Sequence, residues 1–104
     1  MSEFASRALL ARLIGFATVS RDSNLALISF IRDYLADLGV DCELFHNAEG
    51  TKANLFATLG EGKPAGIILS GHTDTVPWEG QAWTVDPLSA TVQDGRLYGR
   101  GSAD

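Results

Sequence analysis

The sequence holds one cysteine, two histidines and three prolines. A lone thiol, Cys42, cannot close an internal disulfide, which agrees with a reducing compartment. Basic residues are few, with 8 Lys and Arg against 13 Asp and Glu and a formal net charge of −5. They are also scattered, so no basic stripe exists to neutralise a phosphate backbone, and nucleic acid is excluded as a partner. The apolar runs are broken by Gly, Pro or charge well short of the roughly 20 residues that cross a bilayer, which excludes a membrane partner. The opening Met1-Ser2-Glu3-Phe4 carries an acid where a secretory leader is basic, and no apolar stretch with a small-residue cleavage site follows. The expectation is a cytoplasmic protein.

A hydrophobic content of 45% is enough for one modest core, so one domain or part of one is expected. Leu9, Leu10, Leu13 and Ile14 recur at helical spacing and predict a first helix from Glu3 to Ile14, ended by Gly15. Ser20-Arg21-Asp22-Ser23-Asn24 offers several N-cap residues before a second apolar stripe, Leu27, Ile28, Ile31, Leu35 and Leu38, which closes at Gly39. Val40, Cys42 and Leu44 alternate with Asp41 and Glu43 as in a half-exposed strand, and Cys42 reads as an ordinary buried or edge thiol. Asn54 to Leu59 reads as a further strand. Ala65-Gly66-Ile67-Ile68-Leu69 is an unbroken apolar run between turn signals, the pattern of a central strand covered on both faces. Asp94-Gly95, between Ala90-Thr91-Val92 and Arg96-Leu97-Tyr98, predicts a tight hairpin. The expected fold class is α/β, with two helices packed on a mixed β-sheet whose buried strand ends at His72.

Candidate chemistry follows that strand. Open α/β sheets bind ligands at the carboxyl ends of their strands, and Ser70-Gly71-His72-Thr73-Asp74-Thr75-Val76-Pro77 puts titratable groups there. Side chains two apart in extended chain point the same way, so His72 and Asp74 can share one side of the backbone. A metal-binding imidazole usually donates its other N–H to a carboxylate, which fixes its tautomer. His-x-Asp alone is equally compatible with a hydrogen-bonded structural histidine and with turn-forming Asp74 and Thr75. The second segment, Gly99-Arg100-Gly101-Ser102-Ala103-Asp104, ends in a carboxylate behind two glycines and reads by itself as a solvated terminus. His46, with Glu49 three positions on, reads as a solvent-exposed loop. Trp78 and Trp83 read as packing beneath a loop, with a pocket lining as the other possibility. Arg100 reads as a helper of the Gly-rich turn or a surface charge, with a carboxylate partner as the other possibility.

The two segments together, with Trp83, Asp86-Pro87 and Asp94-Gly95-Arg96-Leu97-Tyr98 between them, resemble the paired signature of the M20 family of zinc amidohydrolases. Thr18 to Ile28 and Gly50 to Thr58 resemble the N-terminal region of its members that deacetylate N2-acetyl-L-ornithine. The resemblance covers nearly the whole chain. It implies that His72 ligates one zinc, that Asp104 bridges two through its two oxygens, and that Asp74 orients His72 as the catalytic acidic partner. Two Zn2+ per complete site are implied, with Co2+ as a possible substitute; such a pair holds a water, lowers its pKa and polarises the scissile carbonyl. Also implied are a small-molecule N-acyl amino acid substrate, a role in arginine biosynthesis and a homodimeric complete enzyme. Succinyl-diaminopimelate desuccinylase, aminoacylase and dipeptidase activities are the alternatives within the family.

In the family the bridging Asp is followed by Met-Lys-Gly, a Glu-Glu pair supplying the general base and a ligand, a further acidic ligand, a distant His ligand and a dimerisation domain. Here the sequence stops at Asp104 and has no Glu-Glu pair. The resemblance therefore implies that residues 1–104 are the N-terminal portion of an M20 catalytic domain. A catalytic zinc takes three protein ligands and a water, so the isolated chain is expected to bind metal poorly. Without a base near the water, proton transfer worth typically ~10²–10⁴-fold is lost, and the isolated chain is expected to be inactive. The competing class is a non-catalytic, truncated product.

Overall fold

The computed structural model describes residues 3–104. The chain divides into two units, one made of residues up to Asp22 together with Asp74–Asp104, the other of Ser23–Thr73.

The second unit is a helix on a hairpin. Helix α2 runs Leu25–Asp37, and Ser23 Oγ accepts from the Leu25 N–H at 3.2 Å. Its end is set by Gly39, which adopts φ +78. The Gly39 N–H reaches the Ala36 carbonyl at 2.9 Å and the Val40 N–H reaches the Leu35 carbonyl at 2.9 Å, which is a Schellman stop. Strands β1 (Cys42–His46) and β2 (Ala53–Ala57) pair antiparallel, with Cys42 opposite Ala57 and His46 opposite Ala53. Asn47 organises the connection, since its side-chain oxygen accepts from the N–H groups of Thr51 and Lys52 at 2.9 and 3.0 Å. The strand alternation turns Cys42, Leu44, Leu55 and Ala57 to the covered side, while Phe45 and Phe56 stay exposed on the other. Leu27, Ile28 and Ala53 are the buried apolar residues of this unit. Burying a side chain of Leu or Ile size is worth about 1.5–3 kcal/mol.

The Ala65–Leu69 run is not the central strand its composition predicts. Its backbone is irregular, and Ile67, Ile68 and Leu69 are 89%, 80% and 92% exposed. A strand covered on both faces needs neighbours to pair with and layers above and below it. Among the described residues, β1 and β2 pair with each other and nothing pairs with residues 65–69. The correction extends to His72, which does not follow a buried strand.

The first unit begins with α1 (Glu3–Ile14). Gly15 and Phe16 donate their N–H groups back to the Ala11 and Leu13 carbonyls at 3.2 Å each. The chain then passes through Thr18 and Val19, which are 5% and 2% exposed. Val19 forms a parallel bridge with Thr75: the Thr75 N–H reaches the Thr18 carbonyl at 2.9 Å, and the Ser20 N–H reaches the Thr75 carbonyl at 3.0 Å. Strands β3 (Thr91–Gln93) and β4 (Arg96–Tyr98) pair across Asp94-Gly95. Both turn residues have positive φ, 50 and 74, the conformation of the expected tight hairpin. Gly99 follows, with its backbone pressed against Ile14.

The class is α/β, as expected, with two helices and small sheets. The named strands pair antiparallel, and the parallel component among the described residues is the Val19–Thr75 bridge. No helix of the described residues is long and apolar enough to cross a membrane.

Candidate functional site

The Thr73–Thr75 segment is held by the polar stretch that precedes α2. In the second unit, the Asn24 side-chain amide donates to the Ala53 carbonyl at 2.9 Å, and its oxygen accepts from the Ala53 N–H at 3.0 Å. This two-point grip imitates a strand pairing. Asn24 Nδ2 also lies 3.2 Å from Thr73 Oγ1. In the first unit, Ser20 Oγ donates to Asp74 Oδ2 at 2.5 Å and lies 3.3 Å from the Thr75 carbonyl oxygen. One residue further on, Arg21 Nη2 meets Glu79 Oε1 at 2.8 Å across an exposed surface. The Glu79 carboxyl is held below the usual carboxylate range by its own backbone N–H, aided by Arg21.

The Gly99–Asp104 segment forms a turn in the first unit. The Arg100 N–H donates to the Pro87 carbonyl at 2.7 Å, and the Ser102 N–H to the Gly99 carbonyl at 3.1 Å. Gly101 has φ +86, and a Cβ there would stand 3.0 Å from Thr75 Cγ2 and 3.8 Å from the Asp104 carbonyl oxygen. Both the torsion and the space call for glycine. The Arg100 guanidinium lies over Trp83, 5.0 Å from the ring centroid, and donates to Gln81 Oε1. Trp83 Nε1 donates to the same oxygen at 2.9 Å. The Arg100 side chain thus joins its turn to the Gln81–Trp83 segment and meets an amide oxygen and a ring there, not a carboxylate.

Of the three candidate site residues, Asp74 and Asp104 belong to the first unit, where Thr75 and Gly101 bring their segments into contact, and His72 belongs to the second. All three are exposed. His46 and Glu49 are exposed, as expected, but His46 is the last residue of β1 and not a loop residue. Among the described residues, no group of three or more His, Cys, Asp and Glu side chains is gathered to hold a metal ion. A zinc centre needs at least three protein ligands, so the residues present do not make a complete one.

Ser20 and Asn24 read in the sequence only as N-cap candidates. The signal that could have marked them is surplus: the stretch holds more polar side chains than one helix N-terminus uses, and Ser23 already meets the first helical N–H, that of Leu25. The remaining polar residues of that stretch were available for Asp74, Ala53 and Thr73.

Residues 68–104 match the profile of Peptidase family M20/M25/M40. That segment contains His72, Asp74 and Asp104. The chain is similar to acetylornithine deacetylase of Shigella sonnei, 45% identical over 84 residues, which is 79% of this chain and 21% of the relative. It is similar also to acetylornithine deacetylase of Photorhabdus laumondii, 46% identical over 83 residues, again 79% of this chain and 21% of the relative. Succinyl-diaminopimelate desuccinylase of Anaplasma marginale is 43% identical over 98 residues, 92% of this chain and 25% of the relative. The chain therefore spans between a fifth and a quarter of the length of these curated relatives.

Proposed function

We propose that the chain is the N-terminal portion of the catalytic domain of a zinc-dependent amidohydrolase, acting on N2-acetyl-L-ornithine to release L-ornithine and acetate. The observation that carries this reading is the family match over residues 68–104, which takes in both motif segments. In this reading His72 and Asp104 are two of the donors to the metal centre, and Asp74 accepts the second imidazole N–H of His72 and fixes its tautomer. When bound, zinc supplies an activated water and polarises the substrate carbonyl. The chain by itself has too few donors for that centre, so the activity belongs to the complete enzyme, a cytoplasmic homodimer, and the isolated chain turns over no substrate.

Two measurements test the reading. In the complete enzyme, His72→Ala lowers zinc content measured by atomic emission; unchanged metal and activity would remove His72 from the site. In the isolated chain, calorimetric zinc titration with an ornithine-release assay is expected to give weak binding and no turnover. Tight binding of two zinc ions with turnover would overturn the assignment of the missing ligands.

A second substrate has its own support, because the match to the succinyl-diaminopimelate desuccinylase extends over 92% of the chain. Side-by-side assay of the complete enzyme on N-acetyl-ornithine and N-succinyl-diaminopimelate decides between them by the ratio of kcat/KM.

A further inference from the structure

We propose that Ser20 is a positioning residue for Asp74, an inference that rests on the reading of Asp74 as the partner of His72. Asp74 is exposed, and an exposed aspartate ordinarily samples several side-chain rotamers. A carboxylate that must present one oxygen to an imidazole needs that freedom removed. The first unit supplies the means. The backbone leading into Ser20 is tied down: the Thr18 carbonyl accepts from Thr75, the Ser20 N–H donates to Thr75, and Thr18 and Val19 are buried. Gly101 lies close to Thr75, next to Asp74: a Cβ there would stand 3.0 Å from the Thr75 methyl group. On this fixed base Ser20 Oγ reaches Asp74 Oδ2 at 2.5 Å. The hydroxyl therefore selects one rotamer and one oxygen of the carboxylate.

Ser20 touches neither substrate nor metal in this scheme. Its effect passes entirely through Asp74, so the useful variants are those that separate the hydroxyl from the backbone. Ser20→Ala removes the donor and keeps both backbone bonds. Ser20→Thr keeps the donor. Asp74→Asn tests the underlying assignment.

The experiment is NMR of the 104-residue chain. Three-bond couplings to the Asp74 carboxyl carbon report its rotamer, and imidazole ¹⁵N shifts report the His72 tautomer. Ser20→Ala is expected to replace single-rotamer couplings at Asp74 by averaged ones and to shift the His72 tautomer ratio toward that of free imidazole, with Ser20→Thr restoring both. Unchanged Asp74 couplings in Ser20→Ala overturn the proposal. So does an altered rotamer that Ser20→Thr fails to restore, because loss of the hydroxyl would then not be the cause. If Asp74→Asn leaves the His72 tautomer unmoved while Ser20→Ala frees Asp74, the failure lies in the Asp74–His72 assignment and not in the Ser20 contact. The backbone amide spectrum checks that each variant remains folded.

Discussion

Gly99 is where one added methyl group probes the packing of the first unit. A Cβ built there lies 2.9 Å from Ile14 Cγ2, 3.3 Å from Ile14 Cδ1 and 3.6 Å from the Pro87 carbonyl oxygen. Gly99 is not among the glycines of positive φ, so the penalty of Gly99→Ala is steric and not torsional. Ile14 ends α1 and is 4% exposed. A β-branched side chain in a helix has essentially one χ1 rotamer, so Cγ2 cannot swing aside, and the backbone must give. Overpacking of this kind costs typically about 1–3 kcal/mol. For a chain of this size each kcal/mol lowers Tm by about 4–8 °C, so Gly99→Ala should melt on the order of 10 °C below the parent. Ile14→Ala alone should cost about 2–5 kcal/mol through the cavity it leaves. The two changes meet in the same space, so the double variant should be more stable than their sum by about 1–2 kcal/mol, within the range of contacting pairs. Thermal and urea unfolding followed by circular dichroism read all four proteins. Additive effects, or a Gly99→Ala protein within about 2 °C of the parent, would refute the close approach of Gly99 to α1.

Asn24→Ala should destabilise the second unit by about 1–3 kcal/mol, because it leaves the Ala53 N–H and carbonyl without their partner in a part-buried position. Asn24→Asp, which keeps the acceptor and loses the donor, should fall between, and urea unfolding ranks the three. Ile68→Lys should change unfolding stability by no more than about 0.5 kcal/mol, since an 80% exposed side chain gives up little packing. It should also reduce self-association in sedimentation velocity; a cooperative loss of folding would mean that Ile68 is buried. Arg21→Ala should move the Glu79 carboxyl up toward its ordinary range without normalising it, because its backbone N–H is the larger cause of the depression. The lowered value means that the contribution of Glu79 to stability is present above the ordinary carboxylate range and is lost as pH falls through the folded value. An NMR pH titration of the carboxyl carbon in both proteins measures the change.

The features legible in the sequence are those fixed by short-range physics. The α2 stripe and its stop at Gly39 need only helical periodicity and one residue that accepts positive φ; both stand except at Leu38, which caps the helix and is 63% exposed. Asp94-Gly95 is likewise decided within four residues. The glycines of the Gly99–Gly101 segment were legible as a motif but not as packing, because Ile14 and Thr75, the groups that forbid a Cβ there, lie far away in sequence. The same distance hid Ser20 and Asn24. Their side chains serve partners 54 and 29 positions on, and no local pattern separates such a residue from a cap.

Residues 67–69 show the opposite limit, in which a strong local pattern outruns the structure that surrounds it. Two isoleucines and a leucine in succession carry about 1.5–3 kcal/mol each on full burial, together about 5–9 kcal/mol, comparable with the whole stability of a small domain. Here they lie in irregular backbone, 80% to 92% exposed, and realise little of it. Apolar composition records how much surface a segment is able to bury, while strand formation is a property of its neighbours, whose N–H and carbonyl groups must complete the ladder. Reading a strand from such a run is therefore an inference about a sheet, and it holds only where the sheet is present. His72 was placed by that inference, at the end of a buried strand. With the strand withdrawn, its candidacy rests on the motif it shares with Asp74 and on the family match that contains both, and so on the tautomer and zinc-content measurements that test them.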